Sequence, residues 1–283
     1  MFKSNIGKFT WAKLGLDPLD ERGPVLVKIA NQPRNYAWGS RTLIADYFGP
    51  DLVAAAPDQP AAEIWFGTHP GSPSVLAETK ATTLGDHLGG HQLSFLLKIL
   101  AADQPLSIQA HPTQAQAQAG FDRENSQGIA IGASNRNYKD KNHKPEVMVA
   151  LSDFWLLHGF MPAIALKERL ESLPPLQALL PIFGKEDYAG LYSYFMRLNH
   201  EATDAILKPL LELAVEEVAA GKVDKSHPHW WANKYYSGNV PNANIDKGIL
   251  SIYILNIVYV PKYQGVFQGA GLLHAYLEGQ NIE

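Results

Sequence analysis

With 283 residues, 46% of them hydrophobic and 18% charged, the chain can bury a sizeable core in one large domain or two modest ones. Its formal net charge of −4, with Lys and Arg scattered along it, argues against a nucleic-acid or anionic-membrane partner. It has no cysteine, which excludes disulfide scaffolds, thiolate metal sites and cysteine nucleophiles, so any metal must sit on His, Asp, Glu or Gln.

Residues 1–24 mix Lys3, Lys8, Lys13, Asp17, Asp20, Glu21 and Arg22 with short apolar pairs and form an N-terminal extension without a signal-peptide core. From 25 to 160, short β-rich segments (25–29, 63–68, 105–111, 146–151) alternate with Gly, Pro and Asn turns. This spacing predicts a mainly β antiparallel sandwich or barrel. The pattern turns helical after Pro162. Leu166, Leu170 and Leu173 recur at helical spacing before Pro174-Pro175, and Ile206, Leu210, Leu213 and Ala214 mark a longer helix that Gly221 ends. The β pattern returns over 248–260 and 265–277. The expected organisation is therefore a discontinuous β domain, 25–160 and 243–283, interrupted by a helical insertion, 161–242. The most apolar run, 249–260, is broken by Ser251 and Asn256 and is too short to span a bilayer, so the expected location is cytoplasmic.

The chemistry concentrates in three segments. In Leu106-Ser107-Ile108-Gln109-Ala110-His111-Pro112, read as a strand, Ser107, Gln109 and His111 share the face opposite Leu106, Ile108 and Ala110, and Thr113 with Gln116 forms a capping box for a following helix. The second segment starts on Glu146, with Val147, Val149 and Leu151 facing the other way. The third, Gly271-Leu272-Leu273-His274, leads from a turn into a strand. Gln109, His111, Glu146 and His274 together offer four nitrogen or oxygen ligands. Zn²⁺ accepts such a set, which leaves a net +1 Lewis-acid centre suited to stabilising an oxyanion or enediolate. Each of these residues alone reads more simply as a hydrogen-bonded or solvated strand end, and Trp38, Trp65 and Trp155 read as packing rather than sugar platforms.

Six segments, in order and with compatible spacing, resemble the type I mannose-6-phosphate isomerases: Asn35-Tyr36-Ala37-Trp38-Gly39-Ser40, Ala62 to Pro70, Leu106 to Pro112, Asn137 to Asp140, Asn142 to Glu146, and His274-Ala275-Tyr276-Leu277. The resemblance implies a cupin-type (jelly-roll) β-barrel interrupted by an α-helical domain. It also implies one zinc ion on Gln109, His111, Glu146 and His274, and interconversion of mannose 6-phosphate and fructose 6-phosphate. Ser107 and Lys144 match substrate-pocket positions, Glu283 matches an acidic pocket residue, and His143 with Lys144 are candidates for proton movement. The family continues beyond the position of Glu283, so the resemblance implies that its last part, including a pocket Arg, is missing here and that catalysis suffers.

The long polar stretch 120–144 is expected to form a pocket wall in which Lys144, with Arg136 as a second candidate, meets the phosphate. Two other functions fit the same ligand set: a cupin oxidoreductase, and a non-catalytic metal- or sugar-phosphate-binding module.

Overall fold

The computed structural model describes residues 27–49, 59–184 and 187–283. The predicted extension 1–24 lies outside them, as do residues 25 and 26 of the first predicted strand. The chain first forms β1 (Ile29–Ala30), β2 (Pro33–Arg34), α1 (Leu43–Phe48), β3 (Glu63–Phe66), β4 (Val75–Leu76), α2 (Leu84–His87) and β5 (Leu97–Ala102). There follow α3 (Gln114–Ser126), β6 (Glu146–Ala150) and β7 (Phe154–Phe160), and then a helical stretch: α4 (Ala163–Ser172), α5 (Leu180–Phe183), α6 (Tyr188–Arg197), α7 (His200–Ala219), α8 (Pro228–Tyr235) and α9 (Ile249–Ile254). The chain returns to strand with β8 (Leu255–Val260), β9 (Gly265–Gln268) and β10 (His274–Ile282).

The molecule mixes helices with a sheet-rich core. All the pairings of its eight-stranded sheet are antiparallel, in the order β2–β3–β5–β10–β6–β9. β7 joins β8 to the first half of β10, while the second half of β10 pairs with β5 and β6, so β10 belongs to every part of the sheet. Side chains alternate across β5: Ile99 and Ala101 pack with Ile44 and Ile64, and Leu100 and Ala102 pack with Met148, Phe154 and Tyr276. A strand covered on both faces reads as an unbroken apolar run, which is why no alternating pattern announced it. Gly39 lets the Trp38 segment pass close to the start of β3, since a Cβ there would lie 2.6 Å from Ala62.

The helices pack on the Leu157, Ala275 and Leu277 side of β7 and β10 in one apolar cluster. In α7 the buried positions Thr203, Leu207, Leu210, Leu211 and Ala214 follow helical spacing. The Asn199 side chain accepts from Ala202 N–H at its start, and Gly221, at φ 65°, follows its end.

Three expectations need correction. The segment 105–111 is extended but not a regular strand. Leu106 N–H donates to Tyr276 and Gln109 exchanges bonds with His274, so three steps along the segment match two along β10. The extra residue breaks the expected alternation: Leu106 packs with the sheet interior and Ile108 with the helical cluster. Within the predicted strand 248–260, residues Ile249–Ile254 form α9, and all six are buried. Fully buried positions leave no polar face from which to read a period. The polar stretch 120–144, expected as a pocket wall, begins inside α3, whose Thr113–Gln116 capping box is present. Its Arg136 does not face a pocket; the guanidinium is buried against Glu124 (3.1 Å), the Tyr138 carbonyl (2.6 Å) and the Ile129 carbonyl (2.7 Å), where it ties the segment to α3.

Candidate metal centre and pocket

Glu146 opens β6 on the same side as Met148 and Ala150, which are buried, while Val147 is 60% exposed on the opposite face. Its carboxylate lies between two imidazoles. His111 Nε2 is 3.3 Å from Oε1, His274 Nε2 is 3.4 Å from Oε2, and the two rings are 5.2 Å apart. His274 is the first residue of β10, and its Nδ1 lies 2.9 Å from the Leu272 carbonyl. That bond places the proton on Nδ1 and leaves the Nε2 lone pair facing Glu146. His111 Nε2 is buried and lacks the alignment of a hydrogen bond, so it too presents a lone pair without a partner. Burial opposes ionisation of Glu146, but a ring proton donated to it by His111 or His274, together with the Lys144 ammonium, outweighs burial and holds the carboxyl far below the usual range; a bound metal would take the place of those ring protons. Two lone pairs and an ionised carboxylate, all within 4.8 Å, fit a divalent transition ion.

Gln109 is bonded to His274 through both backbone groups (2.8 and 2.9 Å) and lines a cavity of about 330 Å³ with Glu146 and His274. Ser107 lines it as well. Lys144 is half exposed, 2.7 Å from Glu146 Oε1. His143 is exposed and tied by its backbone N–H to Gln114 Oε1 at 3.3 Å; it is not among the residues lining the cavity.

Glu283 is firmly held. Its backbone exchanges bonds with Lys98 (2.7 and 2.8 Å), and its carboxylate receives the Tyr276 hydroxyl at 2.6 Å and the Lys98 ammonium at 2.5 Å. Lys98 also lies 3.6 Å from Glu63, whose other oxygen accepts from Trp65 Nε1 at 2.7 Å. Burial alone would lower the pKa of Lys98, but the carboxylates of Glu283 and Glu63 raise it, keeping the ammonium charged. Burial and then the Glu283 carboxylate push the Tyr276 hydroxyl well above its ordinary range. Lys98 is a site residue that neither spacing nor resemblance singles out. Its signal was a single charge within the apolar run Leu96-Leu97-Lys98-Ile99-Leu100.

A second cluster, Glu217, His227 and His229, also lies within 4.8 Å; the Nδ1 of each histidine is already engaged, while His229 Nε2 is buried without a partner. His229 Nδ1 bonds Glu217 Oε2 at 2.7 Å, and His227 Nδ1 accepts the His229 N–H at the start of α8. Burial, followed by His229 and Arg169, lowers His227 to about 4. Because the unfolded chain binds this proton more readily, the stability that His227 contributes is fully present above about pH 6.5 and is lost as pH drops toward 4. Thermal melts across that window should show the loss, and His227→Asn, which retains a capping acceptor, should flatten it.

A sheet-lined cavity whose Glu146 carboxylate is flanked by two imidazoles, beside a Lys–Glu–Tyr network, has the make-up of a metal-centred enzyme pocket. Comparison with known proteins agrees. The catalytic domain of type I phosphomannose isomerase matches residues 26–163. Mannose-6-phosphate isomerases of Salmonella typhimurium and Escherichia coli are each 32% identical to this sequence, over 90% of the chain and 67% of their own length. The crystal structure of the Salmonella enzyme bound to fructose 6-phosphate and zinc superposes with a TM-score of 0.75 at 30% identity, covering 90% of this chain and 66% of that one. The chain belongs to this family of enzymes, the type I phosphomannose isomerases, and spans about two thirds of the length of these relatives. Among the described residues, no helix is long and apolar enough to cross a membrane.

Proposed function

We propose that the chain is a zinc-dependent aldose–ketose isomerase that interconverts mannose 6-phosphate and fructose 6-phosphate. The observation that carries this is the convergence of His111 and His274 on Glu146 at 3.3 and 3.4 Å, beside the cavity that Glu283 lines. The bound substrate and zinc of the Salmonella relative support the same reading. In this proposal residues 25–160 and 243–283 form a discontinuous cupin-type barrel, and 161–242 form a helical insertion domain.

Gln109, His111, Glu146 and His274 would hold one zinc ion. When bound, it would supply electrostatic stabilisation to negative charge on the sugar oxygens. Isomerisation moves a proton between C1 and C2 through an enediolate, so a base must reach both carbons. Glu283 takes this role: Tyr276 and Lys98 hold its two oxygens in one orientation, which preserves reach at little entropic cost. Ser107 binds the sugar from the cavity wall. Lys144, half exposed at the metal centre, directs its charge at the phosphate. His143, exposed beside it, can exchange protons with solvent.

A coupled assay of both sugar phosphates, with zinc and then with a chelator, tests the proposal. Turnover that disappears with the chelator and returns with zinc is expected; turnover indifferent to the metal would overturn it. Lys144→Ala should keep its zinc and bind the phosphorylated sugar roughly tenfold more weakly, because one charge-assisted contact is lost. Zinc content and calorimetric affinity on the same preparation check both halves.

A further inference from the structure

β10 changes face midway. In its first half His274, Ala275 and Tyr276 border the cavity, and of these only Ala275 also packs, with Leu277, against the helices. Tyr276 pairs with Leu156 and Glu278 with Trp155, so two residues of β10 advance one residue of β7, and Leu277 is the extra residue of a β-bulge. Leu277 and Glu278 therefore both lie toward the helices. Leu277 joins their apolar cluster, and the Glu278 carboxylate is gripped by Lys225, just before α8, and by Lys234 on α8. Beyond the bulge Ile282 packs on the outer side with Ile44 and Ile99, and Glu283 lines the cavity.

Strict alternation from His274 would put even-numbered residues toward the cavity and turn Glu283 away from it. The extra residue reverses that parity. Gly279 makes room for the reversal. Its φ is 124°, and a Cβ would lie 2.6 Å from the Asp153 carbonyl oxygen. An interrupted ladder needs other contacts to hold it. Here they come from the helices, where the buried Trp231 donates to the Lys225 carbonyl at 2.7 Å and keeps that lysine in place.

We propose that Glu278 is a positioning residue: clamped by Lys225 and Lys234, it holds the bulge that keeps Glu283 in the cavity. The consequence for catalysis rests on the role of Glu283 proposed above; the geometric claim does not. Glu278 touches no reacting group. The helical layer thus sets the position of a pocket carboxylate across the thickness of the sheet.

Amide hydrogen exchange on the whole chain tests this directly. In Glu278→Ala, exchange at Lys98 and at 280–283 should quicken about three- to tenfold, while the Gln109 and His274 amides, upstream of the bulge, keep their protection. Zinc content should be unchanged, and kcat should fall with KM steady. Glu278→Gln, which keeps the reach and the hydrogen-bond acceptor, should recover most of both effects. The α7 amides report whether the fold is intact. Uniform quickening along β10, or unchanged protection at Lys98 and 280–283, would overturn the proposal. Glu283→Gln separates the two ideas: if that variant keeps full turnover, the role of Glu283 fails while the exchange result still judges the clamp.

Discussion

Replacing His111 or His274 with alanine should remove zinc from the protein. Each imidazole presents a lone pair at the Glu146 carboxylate, and the other groups there cannot stand in for it: Lys144 is a cation and Gln109 is already counted in the set. Loss of one ligand should weaken zinc at least about a hundredfold, since removing mere supporting contacts around a metal already costs ten- to a hundredfold. Metal content after dialysis against a weak chelator checks this. His229→Ala makes a fair control, because its nitrogen is bonded to Glu217 in the helical layer and its zinc should be unaffected. Stoichiometric zinc in both His111→Ala and His274→Ala would remove the proposed centre.

The second large effect is on turnover alone. Glu283→Gln keeps the size and the contact with Tyr276 but cannot accept a proton, so kcat should fall by about a hundred- to ten-thousandfold with zinc retained. Lys98 would keep Glu63 as a partner, so the pocket should not collapse. Single-turnover measurement of sugar-phosphate conversion, beside metal analysis, decides the matter. Undiminished turnover would assign the proton transfer elsewhere, with His143 or Lys98 next in line.

Secondary structure was legible where one face is wet. α4 and α7 declared themselves through spaced leucines, and β6 through alternation from Glu146. It was hidden where both faces are covered, as in β5 and α9, because burial removes the polar half of the pattern. The candidate site was legible in its residue types, and family resemblance supplied the grouping. Spacing alone placed Ser107, Gln109 and His111 on one face of a strand that the segment does not form. At β10 a bulge reverses which residues face the cavity, and a bulge leaves no mark in composition. Lys98 was overlooked because a lone lysine in an apolar run reads as a defect until its two carboxylates are seen.

The central position of β10 bears on how the molecule folds. Its pairing with β5 closes a loop that contains the whole helical stretch, and Gln109 meets His274 across the same span. Such distant contacts pay their loop-closure entropy before any reward, so they form slowly. The helices, built on near neighbours, should assemble first and β10 should dock onto them afterwards. His111 and Glu146 cannot be joined by His274 until that docking is done. A metal added to refolding chain should therefore leave the early phases unchanged and slow only the reverse step, holding the finished sheet closed.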